Sequence, residues 1–159
     1  MSVKLIVALD FNDQGKALRL VDQLDPSKTA LKVGSEMFTL FGSGFIHALL
    51  ARQFKIFLDL KFHDIPNTVA QSCKAAADMG IWMLNLHASG GKDMMMAARK
   101  AIEPYGATKP LLIAVTVLTS MHQNQLSEIG VQRDLTTQVL GLAQLAADAQ
   151  LDGVVCSAF

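Results

Sequence analysis

Charged side chains stand in this sequence where a buried strand should carry none. The segment Lys55-Ile56-Phe57-Leu58-Asp59-Leu60-Lys61-Phe62-His63-Asp64-Ile65-Pro66-Asn67-Thr68 opens as an apolar strand, yet it holds Asp59 and Lys61 two residues apart. Alternation along a strand places those two on one face and Leu58 and Leu60 on the other. Lys32 repeats the pattern inside Ala30-Leu31-Lys32-Val33-Gly34, and Asp10 closes the apolar run 5–9. In the order Lys32, Asp59, Lys61, Asp64, each cation favours ionised neighbours and each carboxylate keeps the lysines protonated. A protonated lysine held in place is both a cation and a proton donor. It is a poor Schiff-base nucleophile, because that role needs a neutral amine. The array suits a reaction that develops negative charge on carbon and then protonates it. The competing reading is a structural salt bridge pinning neighbouring strands. Desolvation cancels much of the attraction in a buried pair, so such a bridge stabilises poorly.

The elements that must position these groups follow from the apolar runs 5–9, 30–33, 56–60, 81–86, 111–118 and 153–156. They lack polar alternation, as strands of a parallel sheet do when both faces are covered. Amphipathic helical patterns lie between them. Ala17, Leu20, Val21 and Leu24 share one face, as do Leu135, Val139, Leu142, Ala143 and Ala146. Pro66 can open a helix and Gly80 can stop it. The expected strand ends, Asp10, Gly34, Lys61, His87, Val117 and Ser157, recur at intervals of about 24 to 40 residues. A βα unit repeating at that period predicts a (β/α) barrel or a doubly wound sheet. In a barrel, Asp10, Lys32, Asp59 and Lys61 would gather at the mouth formed by the strands' carboxyl ends. Residues 119–134, long, polar and containing Gly130, are expected to form a loop over a site or a surface insertion.

The run Asp59-Leu60-Lys61-Phe62-His63-Asp64-Ile65-Pro66-Asn67-Thr68 resembles the signature of the orotidine 5′-phosphate decarboxylase family, bacterial type. Val7-Ala8-Leu9-Asp10, Leu31-Lys32-Val33-Gly34, His87-Ala88-Ser89-Gly90-Gly91, Val115-Thr116-Val117-Leu118-Thr119-Ser120 and Asp152-Gly153-Val154-Val155-Cys156-Ser157-Ala158 resemble it in order and spacing. The resemblance implies an α/β (β/α)8 TIM barrel that converts orotidine 5′-monophosphate to UMP and carbon dioxide with no metal or organic cofactor. It implies that Lys61 protonates C6 of the pyrimidine and that Asp59 lies beside the departing carboxylate. Lys32 would orient Asp59 and contact the ribose, and Asp10 would bind a ribose hydroxyl. Asp64 would enter the neighbouring subunit's site in a homodimer. Thr68 would hold the ligand near that interface, with Ile65 also in the binding site, and Thr119 or Ser120 would contact the base.

An eight-unit barrel typically needs about 250 residues, and about 200 at the low end. With 159 residues, a single barrel domain over 1–159 is expected to hold six βα units and to lack the last two. In the family those two carry the phosphate grip and the main lid. A chain ending there is expected to show an open sheet edge, little activity and poor solubility. Two rivals follow. A related group of sugar-phosphate decarboxylases and synthases shares Asp-x-Lys-x-x-Asp but uses magnesium; it carries a carboxylate where this chain has Lys32, whose charge would repel the metal. An inactive, truncated barrel remnant is the other.

Composition narrows the remainder. Fourteen Lys and Arg balance fourteen Asp and Glu, which gives no electrostatic case for nucleic acid or an anionic membrane as partner. Hydrophobic residues make up 51% and charged ones 18%, too apolar for a disordered chain. The N-terminal apolar run is too short for a secretion signal, and no stretch reaches membrane-span length. Cys73 and Cys156 read as buried thiols in a reducing compartment, which predicts a cytoplasmic protein. Ser89 is expected to cap a helix after the turn 87–91. His63 is expected to be a hydrogen-bonded structural residue, with no second histidine at ligand spacing. His47 and His122 read as surface residues. Met94, Met95 and Met96 read as core filling or a dimer contact, and Trp82 as packing at a strand start.

Overall fold

The computed structural model describes Val3 and residues 5–157. Met1, Ser2 and Lys4 of the N-terminal run and Ala158 of the final motif lie outside the described residues, as does Phe159.

Among the described residues, six strands form one sheet: β1 (Leu5–Ala8), β2 (Thr29–Gly34), β3 (Lys55–Phe62), β4 (Met83–His87), β5 (Leu111–Val115) and β6 (Gly153–Val155). The helices between them are α1 (Gln14–Val21), α2 (Ser35–Ala51), α3 (Pro66–Asp78), α4 (Lys92–Ile102), α5 (Gln123–Glu128) and α6 (Leu135–Asp148). Every strand pairs in parallel with the next in sequence, in the order β1-β2-β3-β4-β5-β6. A doubly wound sheet would reverse its order at a switch point. The uninterrupted order, with right-handed crossovers, keeps all helices on one side and curls the sheet as in a TIM barrel.

The two faces of the sheet differ. Leu31, Val33, Ile56, Leu58, Leu84, Leu86, Leu112 and Ala114 join the main core together with helix residues such as Ile46, Leu49, Val69, Met95 and Ile102. The alternate positions, Lys32, Phe57, Asp59, Met83, Asn85 and Val115, point to the concave face. Local signals set the helix ends. Asp13 accepts the Lys16 N–H at 2.7 Å to cap α1, and Asp134 accepts the Thr137 N–H at 2.9 Å to cap α6. Pro66 opens α3, where its missing N–H costs nothing. Gly80, just beyond α3, has φ +83°, the left-handed stop that glycine supplies without strain.

Four expectations need correction. Residues 119–134 are not all loop: α5 lies within them, its first turn closed by His122 and Gln125 in a reciprocal cap. His122 is therefore exposed but structurally engaged. Ser89 caps nothing. Residues 88–90 make a 3₁₀ turn and Gly91, with φ 87°, precedes α4, so Ser89 falls short of the cap position. Cys73 is buried, but Cys156 is exposed, since it follows β6 at the sheet's edge. Trp82 stands just before β4 rather than in it, with the Lys55 ammonium 5.5 Å from its ring centre.

Candidate active site

The register of the sheet brings the sequence's odd charges together. Gly34 of β2 lies beside Asp59 of β3, and the Leu9 N–H donates to the Lys32 carbonyl at 2.9 Å, which draws Asp10 alongside Lys32. The Lys32 Nζ stands 3.3 Å from Asp59 Oδ2 and 3.6 Å from Asp10 Oδ1. The Lys61 Nζ donates to Asp59 Oδ1 at 2.7 Å. Asp10, Lys32, Asp59 and Lys61 thus form a continuous chain of alternating charge across β1, β2 and β3.

Asp59 is its hub. It is 9% exposed, and burial by itself would raise its pKa. Hydrogen bonds from Lys61 and Asn85, with the charges of Lys61 and Lys32, outweigh that effect and hold the carboxyl below its ordinary value. Asp59 therefore stays ionised at neutral pH, with both oxygens engaged by cations.

Lys61 reaches Asp59 through an irregular backbone. Pairing with β4 runs from Leu58–Leu84 directly to Phe62–Leu86, so β3 bulges between them. Lys61 itself has φ +52°, a left-handed conformation that costs a lysine on the order of 1–3 kcal/mol. Bulges re-aim side chains at the rims of barrels. The sequence expectation of a regular pleat carrying Asp59 and Lys61 on one face is met in their contact and in Leu60 packing on the core, but the strand is not regular there.

Asn85 is the residue the sequence reading missed. It is 1% exposed. Its amide donates to Asp59 Oδ1 at 2.7 Å and its carbonyl accepts the Lys61 backbone N–H at 2.8 Å. The signal was present: it is the lone polar residue in the apolar run 81–86. His87, two residues on, lies with its ring centre 5.5 Å from that of His63, so a second histidine does approach His63 in space. Burial lowers the pKa of His87, as do the charges of His63 and Lys61. Among the described residues, no group of three or more His, Cys, Asp and Glu side chains is placed to hold a metal ion.

Among the described residues, the other expected site residues make no ion pair or hydrogen bond with the cluster. Asp64 is exposed, and its carboxylate accepts the Ile65 N–H at 2.6 Å. Ile65 is 66% exposed, and Thr68 is exposed in the first turn of α3. Thr119 lines a cavity of about 420 Å³ with Val117, Leu118, His122, Leu135 and Ser157. That cavity lies at the carboxyl ends of β5 and β6, and none of Asp10, Lys32, Asp59 or Lys61 lines it.

This geometry can hold an anion-developing centre against a fixed ammonium. Comparison with known proteins agrees. A protein of Legionella pneumophila (strain Paris) named orotidine 5′-phosphate decarboxylase is 58% identical over 158 residues, covering 99% of this chain and 69% of that protein. One of Pseudoalteromonas atlantica with the same name is 59% identical over 155 residues, covering 98% and 67%. The crystal structure of orotidine 5′-phosphate decarboxylase from Lactobacillus acidophilus superposes with a TM-score of 0.91 at 40% identity, covering 98% of this chain and 72% of that one. Since residues 3–159 also match the family described as Orotidine 5′-phosphate decarboxylase / HUMPS, the chain belongs to that family.

Proposed function

We propose that this chain carries the catalytic charge array of an orotidine 5′-phosphate decarboxylase, which releases carbon dioxide from C6 of orotidine 5′-monophosphate to leave UMP. The observation that carries this reading is the Lys61 ammonium held at 2.7 Å by an ionised, buried Asp59. As the carboxyl group leaves, the electron pair of the C6–carboxyl bond stays on C6. A cation fixed before the reaction stabilises that pair without solvent reorganisation. Lys61 then delivers a proton to C6, which completes UMP. Asp59 sits beside the departing carboxylate, and Lys32 fixes Asp59 while it and Asp10 reach towards the ribose.

The chemistry needs neither metal nor organic cofactor in this reading. Support comes from Lys32, whose ammonium occupies the flank of Asp59 where a divalent cation would need a carboxylate. Asp64 and Ile65 in the β3–α3 turn and Thr68 in the first turn of α3 are exposed, consistent with a site shared between two copies of the chain. Two free cysteines suit a cytoplasmic location. No helix among the described residues is long and apolar enough to cross a membrane.

The test is release of labelled carbon dioxide from orotidine 5′-monophosphate carrying 13C in its carboxyl group, with and without EDTA. Turnover that survives EDTA supports the reading. Turnover lost in EDTA and restored by magnesium would move the chain to the metal-dependent rival. No turnover in either condition favours the inactive remnant.

A further inference from the structure

Asn85 belongs to β4, yet both of its side-chain hydrogen bonds go to β3, at the two residues that matter most there. Its amide donates to Asp59 Oδ1, the same oxygen that accepts from the Lys61 ammonium. Its carbonyl accepts the backbone N–H of Lys61, the residue whose backbone is left-handed. The orientation of the amide is dictated by chemistry: an ionised carboxylate can only accept and a backbone N–H can only donate. Asn85 is 1% exposed, and both polar atoms of its amide are engaged by β3.

The bulge explains why such a residue is required. Between Leu58 and Phe62 the ladder to β4 is interrupted, so the Lys61 N–H loses its regular backbone partner. An orphaned N–H at this depth is costly, because it has left water without gaining an acceptor. Asn85 supplies the missing acceptor from the neighbouring strand and, with its other end, sets the Asp59 carboxylate against the Lys61 side chain. One rigid amide thus ties the backbone and the side chain of Lys61 to a single reference point.

We propose that Asn85 is a positioning residue for the decarboxylation: it locks the left-handed bulge at Lys61 and the ionised Asp59 rotamer together, and so aims the ammonium. This rests on the function proposed above, but the geometric part can be judged without turnover. A displacement of about 1 Å at a reacting group costs on the order of a hundredfold in rate. Asn85 touches neither substrate nor the reacting carbon in this scheme, so its loss falls on kcat, with KM changed less than threefold.

The experiment has a binding-free arm and a kinetic arm. In the first, the Asp59 carboxyl is titrated by 13C NMR and amide exchange is followed at Lys61. In the parent chain the Lys61 amide is protected and Asp59 titrates below an ordinary Asp. In Asn85→Ala the Asp59 midpoint rises and Lys61 exchange accelerates at least tenfold, with β1 and β6 amides unchanged. In the kinetic arm, the nearly isosteric Asn85→Asp variant carries a distinctive signature. While its new carboxyl is protonated it can donate to Asp59 and accept from Lys61 as the amide does. Once ionised it repels Asp59. Its kcat therefore falls as pH rises through that titration, where the parent shows no such loss. A purely structural role would lower kcat equally at every pH. An unprotected Lys61 amide in the parent, or a folded Asn85→Ala chain with Asp59 titration and Lys61 exchange unchanged, overturns the proposal. A parent that does not decarboxylate defeats the proposed function instead, and the NMR arm still decides the role of Asn85.

Discussion

Lys61 is asked to be cation and proton donor at once, and its environment permits both. The ionised Asp59 at 2.7 Å holds the ammonium in place, while Lys32 takes the other carboxylate oxygen so that Asp59 is not wholly neutralised by one partner. Lys61→Ala removes the donor and the fixed charge together. Decarboxylation should fall by at least about a thousandfold, combining loss of general-acid and electrostatic terms, with far-ultraviolet circular dichroism unchanged. Retention of turnover within tenfold of the parent would remove Lys61 from the role of proton donor. Lys32→Ala should cost less, on the order of a hundredfold, because Asp59 keeps two of its donors; the rates come from the same labelled-carbon assay. These residues were readable from sequence because an ionised group in an apolar strand is conspicuous: its burial is costly unless it is paired. Asn85 was not, since a neutral amide raises no such conflict and its partners lie on another strand. Asp64, which the resemblance assigns to a neighbouring subunit's site, makes no ion pair with the cluster of its own chain and is exposed.

The elements were legible for a simpler reason. Every expected strand is present, within a few residues, because doubly buried strands are continuous apolar runs, and Pro66 and Gly80 bracket α3 as helix punctuation should. What the pattern could not show was backbone irregularity. The bulge at 59–61 depends on pairing with β4, and α5 is too short to build an amphipathic period. Two glycines separate the kinds of constraint involved. At Gly80 a methyl group would meet nothing within 4 Å, but φ is +83°. Gly80→Ala should therefore lose about 1–2 kcal/mol by backbone strain alone, and Gly80→Asn less, in urea denaturation. At Gly90 the backbone tolerates a side chain, but a methyl would collide with the terminal sulfur and methyl of buried Met94 and press on His63. Gly90→Ala should cost about 1–3 kcal/mol by overpacking. In the Met94→Ala background the same change should cost clearly less, because the space has been vacated. Equal costs in both backgrounds would mean that Met94 already moves aside.

For the molecule as a whole, two pH windows on the acid side follow from the half-buried His87 and the buried Asp59. Burial, with the charges of His63 and Lys61, depresses His87 below its usual 6.5. The unfolded chain then binds a proton more readily than the folded one. Stability is full above about pH 6.5 and declines as pH falls towards the folded pKa of His87. Asp59 is also depressed, below 3.8, so its contribution persists to lower pH and is lost as pH falls through its folded value. Unfolding free energy measured against pH should show a first decline just below 6.5 and a second below about 3.8. His87→Gln should erase the first and spare the second. A His87→Gln chain with the first decline intact would transfer it to another group.

The same whole-molecule view gives the sharpest check on assembly. Lys61 stays inside its own chain's cluster, whereas Asp64, exposed and without an ion partner among the described residues, faces outward from the β3–α3 turn. If two copies share a site, Asp64 of one serves Lys61 of the other. Chains carrying only Lys61→Ala and chains carrying only Asp64→Asn should each be nearly inactive. On mixing and re-association, half of the dimers combine one of each, and one of the two sites in such a dimer regains both native residues. Activity should return to about a quarter of the parent value by two-fold symmetry. Sedimentation of the mixture confirms that dimers have formed. If dimers are present and no activity returns, Lys61 and Asp64 act within one chain, and the outward position of Asp64 must then close onto its own cluster when substrate binds.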